Sequence, residues 1–168
     1  MSTPTRQRGV GFVEVLIAVL IISFGFLAVA RMQVDSMRNS QSAYFRSQAH
    51  LMASAMIDRM RANVDGVRAG HYDAGRTAAG TTDPGCLNAL CDPERIARQD
   101  LHDWSASLHA ADGDADFVPL LPSVDAVDAF GEIRRTGAGR YTVRVVWGER
   151  VGETVESAEL AVDFVSEL

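Results

Sequence analysis

From Val10 to Ala30 the chain is apolar at every position except Glu14 and Ser23. A run of about 21 residues, at roughly 1.5 Å rise per residue, makes about 31 Å of helix and can cross a bilayer core. The helical pattern continues beyond it. Arg31 to Asn63 contains no Pro and no Gly, and it is rich in Met, Ala, Gln and Arg, all compatible with a helix. Apolar or aromatic residues recur at Val34, Met37, Tyr44, Leu51, Met52, Ala55, Met56 and Met60, at spacings near three and four. Asn63 and Gly66 supply a stop signal. The pattern predicts one helix of about 50 residues, on the order of 75 Å long. The stripe on its second half is expected to pack on the sheet of its own domain. A freestanding coiled coil is the alternative, and the heptad is too irregular and short to favour it.

Past this helix the period changes. Val64 to Asp83 is rich in Gly, Ala, Thr and Asp and reads as loop. Asp92-Pro93-Glu94 is a helix start, with Asp as N-cap, Pro at the first position and an acidic first turn. Ala97, Leu101, Trp104 and Leu108 continue it as a helical stripe to about His109, with Trp104 in the core. From about Ala129 the pattern alternates. Ala129 to Arg135 reads as a strand, and Thr136 to Gly139 as a hairpin loop. Tyr141, Val143, Val145 and Trp147 form one buried face of a second strand. Gly148 to Gly152 is read as a turn, and Val155 to Val165 as a third strand with Leu160, Val162 and Phe164 on one side. The fold class is α+β: a long N-terminal helix against a three- or four-stranded antiparallel sheet, with a short extra helix at about 93–109.

Glu14 breaks the simplest account of the N-terminal run, because an ionisable group in hydrocarbon costs a few kcal/mol unless it finds a partner. Two plain readings leave it unexplained. A secretory signal peptide would have the basic start at Arg6 and Arg8, an apolar core and the small-residue end Ala28-Val29-Ala30. A permanent single-pass anchor would have the length. In either case the basic leader keeps the N-terminus cytoplasmic and sends the rest of the chain across.

Composition narrows the setting. All 16 basic residues are Arg, and 22 acidic residues give a net charge of −6. There is no basic patch with interleaved aromatics, so a nucleic-acid partner is not expected. Cys86 and Cys91 lie close together in the exported part, where an oxidising compartment favours a disulfide closing a small loop. Zinc with His102 and His109, or two free thiols, are the alternatives. Asp112, Asp114 and Asp116 alternate as calcium ligands do, but Phe117 and Ser123 stand where an EF-hand loop needs Gly and Glu, so a solvated acidic turn is favoured. His50, His71, His102 and His109 are scattered. No Gly-rich phosphate loop, nucleophile elbow or meaningful His–carboxylate spacing exists, so the sequence calls for no enzyme, cofactor or metal.

The N-terminal run resembles the signal of type IV pilins and pseudopilins. In that family a short basic leader ends in Gly, and Glu stands fifth in the mature chain. Counting from Val10, Glu14 is fifth, which implies cleavage between Gly9 and Val10 and N-methylation of Val10; cutting after Gly11 would put Glu14 third. The family more often starts with Phe or Met than with Val. The segment from Met37 to His50 with Ile57 to Asn63, the Gly70-His71-Tyr72 element, Asp100-Leu101 with Trp104, Leu120-Leu121-Pro122, and Tyr141-x-Val-x-Val-x-Trp147 are similar to PilV-like minor pilins, the type IV pilus modification proteins.

That resemblance implies the type IV pilin fold. Residues 1–9 would be a leader peptide, 10–30 the transmembrane and assembly half of the helix, 31–63 its periplasmic half, and 64–168 the head. It implies a minor pilin made in the inner membrane with its head in the periplasm and then carried to the pilus, at its tip. Its partners would be a prepilin peptidase, other minor pilins, the major pilin and a tip adhesin. It would prime assembly and support piliation, twitching motility and adhesion, with Glu14 meeting the Val10 amine of a neighbour. A minor pseudopilin of a type II secretion system is the alternative within the family. A periplasmic binding domain on a single-pass anchor is the alternative outside it.

Overall fold

The computed structural model describes residues 11–78, 81–86, 90–109, 118–151 and 154–166. Helix α1 runs Phe12–Ala62, followed by α2 (Val64–Ala69), strand β1 (Gly75–Arg76), α3 (Pro93–Leu108), and strands β2 (Phe130–Gly137), β3 (Arg140–Val151) and β4 (Thr154–Val165). The architecture is α+β, with a long N-terminal helix and a small four-stranded antiparallel sheet in the order β1-β2-β3-β4. The chain divides into two compact units, Met1–Gln41 and Ser42–Leu168.

In the first unit the helix is exposed along its described length, with Phe12, Val13, Leu16, Ile17, Leu20 and Ile21 all open. By length and composition α1 is able to cross a membrane. Ser23 does not interrupt it, because its hydroxyl donates to the Val19 carbonyl one turn back at 2.8 Å.

In the second unit a single core joins helix, loop and sheet. From α1, Ala49, Met52, Ala53, Met56, Ile57 and Met60 are buried. Their spacing of three and four is one face of a helix. The sheet answers with Ile133, Tyr141, Val143, Val145, Trp147 and Phe164, all in the same cluster. Register makes this face continuous: Tyr141 lies opposite Phe164, Val143 opposite Val162, Val145 opposite Leu160 and Trp147 opposite Ala158. Each fully buried side chain of this size contributes about 1.5–3 kcal/mol.

Only three of the eight positions of the expected stripe are buried, and Ala55 is among the exposed ones. Met52, Met56 and Met60 are core, but Val34, Met37, Tyr44 and Leu51 are exposed. Ala49, Ala53 and Ile57 complete the buried face instead. Two of these are alanines, which an apolar count that favours large side chains passes over.

Other boundaries also shift. Asn63 ends α1, and its side-chain oxygen accepts from the Gly66 amide at 3.2 Å to start α2. Gly66, read as part of the stop, sits inside α2, where any Cβ would meet the Asn63 side-chain amide nitrogen at 2.5 Å. The α2 segment and the two-residue β1 fall where a loop was expected. Gly148 is in β3, not in a turn; β3 continues to Val151, which pairs with Thr154 of β4. Loop backbone covers Gly148, whose Cβ would meet the Val124 nitrogen at 2.8 Å and the Val127 oxygen at 3.0 Å. The β2–β3 reversal is tighter than the Thr136–Gly139 loop expected, since Gly137 pairs with Arg140 and Gly139 takes a φ of 65°.

Helix α3 begins as its sequence requires: Asp92 accepts from the Arg95 amide at 2.8 Å and Pro93 opens the first turn. It packs over β2 through Trp104, whose six-membered ring fills the space above Gly131. Trp104 is buried.

Candidate functional site

Two regions of the chain carry the groups worth weighing: the N-terminal turn of α1 and a polar cluster where α1, the Tyr72 loop and α3 meet.

Helix α1 opens on the Gly11 carbonyl, which accepts from the Glu14 amide at 2.9 Å and the Val15 amide at 3.3 Å. Glu14 therefore sits in the first turn, where the positive end of the helix dipole favours an anion. It is exposed among apolar neighbours, and no hydrogen bond or ion pair engages its carboxylate among the described residues. Gly9 and Val10, the expected cleavage and methylation positions, lie outside the described residues. A carboxylate in the first turn of a membrane-length helix is a group in want of a cationic partner.

The polar cluster lies wholly in the second unit. Arg59 reaches from α1 to α3 and donates to Asp103 at 2.9 Å and Asp100 at 3.4 Å. Asp100 also accepts from the Tyr72 hydroxyl at 2.5 Å. That hydroxyl in turn accepts from the Asn63 amide at 3.1 Å, and the same amide nitrogen donates to the Pro93 carbonyl at 2.8 Å. Gln99 donates to Asp103 at 2.9 Å and accepts from the Cys86 amide at 3.1 Å. Burial pushes the Tyr72 hydroxyl well above its usual pKa, and donation to Asp100 adds to this. Burial opposes the Arg59 charge, but the Asp103 and Asp100 carboxylates outweigh it and raise the guanidinium's pKa. A tyrosine held neutral and an arginine held charged make a clamp, not a nucleophile or a base.

Cys86 and Cys91 are joined in a disulfide just ahead of the α3 N-cap. His102 and His109 therefore face no thiolate; each meets a threonine instead. His102 Nδ1 lies 3.0 Å from Thr81 Oγ1, and His109 Nε2 lies 3.1 Å from Thr77 Oγ1. Burial, with Arg76 nearby, holds the His109 pKa below the usual histidine range. His50 meets Ser54 on the exposed side of α1, and His71 is exposed. Among the described residues no group of three or more His, Cys, Asp or Glu is placed to hold a metal ion. The acidic run Asp112, Asp114 and Asp116 lies outside the described residues.

Sequence reasoning found Glu14, the cysteines and Trp104 but not the Arg59–Asp100–Tyr72–Asn63 clamp. Its members are separated by up to 41 positions. Only Asn63 at a helix end and Tyr72 after a left-handed Gly70 gave a local signal.

Residues 4–30 match the family described as Prokaryotic N-terminal methylation motif, a match covering less than a fifth of the chain. No curated protein and no solved structure matches it. The matched segment contains Gly9, Val10 and Glu14 together with the apolar run. It implies processing by a prepilin peptidase, anchoring in a membrane and assembly with other pilins. A structural subunit is the role such a signal serves, and the motif indicates a type IV pilin- or pseudopilin-like precursor.

Proposed function

We propose that this chain is a minor type IV pilin of the PilV-like kind. The observation that carries the proposal is Glu14, a carboxylate with no partner among the described residues, in the first turn of a helix long and apolar enough to span a membrane. Cleavage between Gly9 and Val10 creates a new amino terminus four residues before Glu14, and methylation caps it while keeping its charge. In the inner membrane the chain waits with its head in the periplasm, the orientation favoured by Arg6 and Arg8. During assembly the Glu14 carboxylate meets the Val10 amine of a neighbouring subunit. Two charges that are each costly in hydrocarbon then neutralise one another, which favours docking and fixes the axial register.

Two features support the minor-pilin version. Trp104 over β2 and the aromatic inner face of β3 fall in the segments whose sequence resembles PilV-like proteins. In that role the chain joins other minor pilins to prime the filament and remains in the tip complex, where a large adhesin is carried. Piliation, twitching motility and attachment follow. A minor pseudopilin of a type II secretion system shares the N-terminal signal and stands as the second reading.

The test is Glu14→Ala in the full chain, expressed with the prepilin peptidase and the other minor pilins. Cleavage after Gly9 is expected to persist, while co-purification of the other pilins is lost. Normal co-purification by the variant would overturn the pairing.

A further inference from the structure

The sheet has two edges, and the described chain closes only one of them. Along β2 the outward-turned backbone is satisfied by the segment around β1. Gly131 donates to Thr77 Oγ1 at 3.0 Å and accepts from the Thr77 amide at 2.7 Å, Ile133 pairs with Gly75, and the Arg135 amide donates to Asp73 at 3.1 Å. At the other edge stands β4, 12 residues long. Its ladder with β3 runs from Thr154 to Val165 without a register shift, and the Ser166 amide extends it by donating to the Gly139 carbonyl at 2.8 Å. Hydrogen-bonded pairs alternate along an antiparallel ladder, so the even-numbered residues of β4 turn their backbone toward β3. Val155, Ser157, Glu159, Ala161, Asp163 and Val165 turn theirs outward, where no backbone partner meets them among the described residues.

Natural edges are commonly blunted by Pro, Lys, a bulge or an inward-pointing charge. Glu156 is such a charge at the start of β4, but from Ser157 to Val165 the strand has none of these devices. Its two faces there describe what would pair with it. On the core face Ala158, Leu160 and Val162 are only partly buried, whereas Val143 and Val145 beside them are fully buried. On the outer face Asp163 accepts from the Thr142 hydroxyl at 2.7 Å and has no ion pair among the described residues. Glu159 has Arg144 at 3.3 Å, but shares it with Glu132. The strand contains no basic residue. A second copy of β4 would bring acid to acid, and like charges across a ladder destabilise it.

We propose that β4 is a docking edge for a different protein, and that it takes, as an antiparallel fifth strand, an extended segment in which basic and apolar side chains alternate. The backbone of the segment's basic residues bonds to the outward-turned groups between Ser157 and Val165. Their side chains meet Glu159 and Asp163 on the outer face, and the apolar side chains between them cover Leu160 and Val162 on the core face. Main-chain bonds supply the affinity, and the acidic outer face with the half-covered core face supplies the choice of partner. The edge belongs to the head alone, so it stands apart from the membrane segment and its role.

The test titrates the full chain, in an uncharged polyoxyethylene detergent, into a fluorescein-labelled Arg-Val-Arg-Val-Arg-Val-Arg peptide and follows anisotropy against empty micelles. Saturable binding is expected, roughly tenfold tighter than for the same peptide with Glu in place of Arg, and weaker in about 0.5 M NaCl. N-methylation of the Arg amides is expected to abolish binding, whereas N-methylation of the Val amides, which turn away from β4, leaves it within about twofold. Ala161→Pro removes an outward amide that β3 does not use, so it is expected to abolish binding without moving the tryptophan-monitored melting temperature. If that variant melts early, Asp163→Lys serves in its place, with a fewfold loss expected. Equal binding of the Glu peptide, the opposite pattern of N-methylation effects, or no saturable binding would overturn the proposal. So would full binding by a folded variant, or a homodimer of the full chain that Ala161→Pro dissolves.

Discussion

Removing one oxygen atom from Tyr72 tests the clamp that ties α1 to α3. Tyr72→Phe keeps the ring, which is fully buried, and deletes a hydroxyl that donates to Asp100 and accepts from Asn63. The donor bond is to an ionised carboxylate and is worth about 1.5–3 kcal/mol net; the neutral bond from Asn63 is worth about 0.5–1.5 kcal/mol. Two features limit the loss. Asp100 keeps Arg59 at 3.4 Å, and the Asn63 amide keeps the Pro93 carbonyl at 2.8 Å. We therefore expect about 2–3 kcal/mol of destabilisation, or a fall in Tm of roughly 6–12 °C for a head of this size. Thermal unfolding of the full chain in detergent, followed by tryptophan fluorescence, reads the head selectively because Trp104 and Trp147 both lie in it.

The same hydroxyl gives a second readout with a defined sign. Its pKa is raised by burial and by Asp100. A group whose folded pKa lies above its unfolded value contributes stability in full below the unfolded pKa and loses it as pH rises toward the folded one. The wild-type head should thus lose stability above about pH 10 through Tyr72, and Tyr72→Phe should lack that component. A variant that melts within 2 °C of wild type, or that retains the whole alkaline decline, would refute the clamp.

The remaining predictions concern the packing and charges around it. Gly131→Ala puts a methyl 2.3, 2.5 and 2.8 Å from three carbons of the rigid Trp104 ring, so a loss of about 2–3 kcal/mol in the same melt is expected; an unchanged melt would mean α3 does not rest on β2 there. Glu132 lies on the other face of the sheet, buried between Arg134 at 2.7 Å and Arg144. The Arg134 hydrogen bond, with Arg144, holds its carboxyl below the usual range against the opposing effect of burial. Its contribution is present above the unfolded pKa and lost as pH falls through the folded one, so Glu132→Gln should flatten the decline in stability below about pH 4.5. Reduction of Cys86–Cys91 opens a small loop and should cost about 2 kcal/mol by loop entropy, read as a lower Tm with reductant that the Cys86→Ala, Cys91→Ala variant reproduces without it.

Where a stretch of sequence buries one face, its structure was legible. The alternation Tyr141, Val143, Val145, Trp147 states both the strand and its inner face, and Asp92-Pro93 states the start of α3. Helix length along α1 was legible because no Pro and only the lone Gly25 stand between Phe12 and Ala62. Which residues of α1 would be covered was not. Val34, Met37 and Tyr44 are as apolar as Met52 and Met56, and nothing local says where the head begins. Strand β1 was illegible because two residues carry no period; its place is set by pairing with Ile133 and Glu132 far along the chain. Gly148 misled because glycine usually marks a turn, whereas here it makes room for the Val124–Val127 backbone. The clamp was hidden by separation in sequence. The N-terminal signal is the opposite case: its chemistry is carried by Gly9, Val10 and Glu14 within six positions and needs no tertiary structure to be read.

The central claim is that a peptidase remakes the N-terminus so that Glu14 stands fifth. The direct measurement is the mature N-terminus of the full chain, expressed with and without a prepilin peptidase, by intact mass and tandem fragmentation. The account predicts a chain that begins with N-methylated Val10 only when the peptidase is present. A chain beginning after Ala30, or one still beginning at Met1 with the peptidase present, would contradict it.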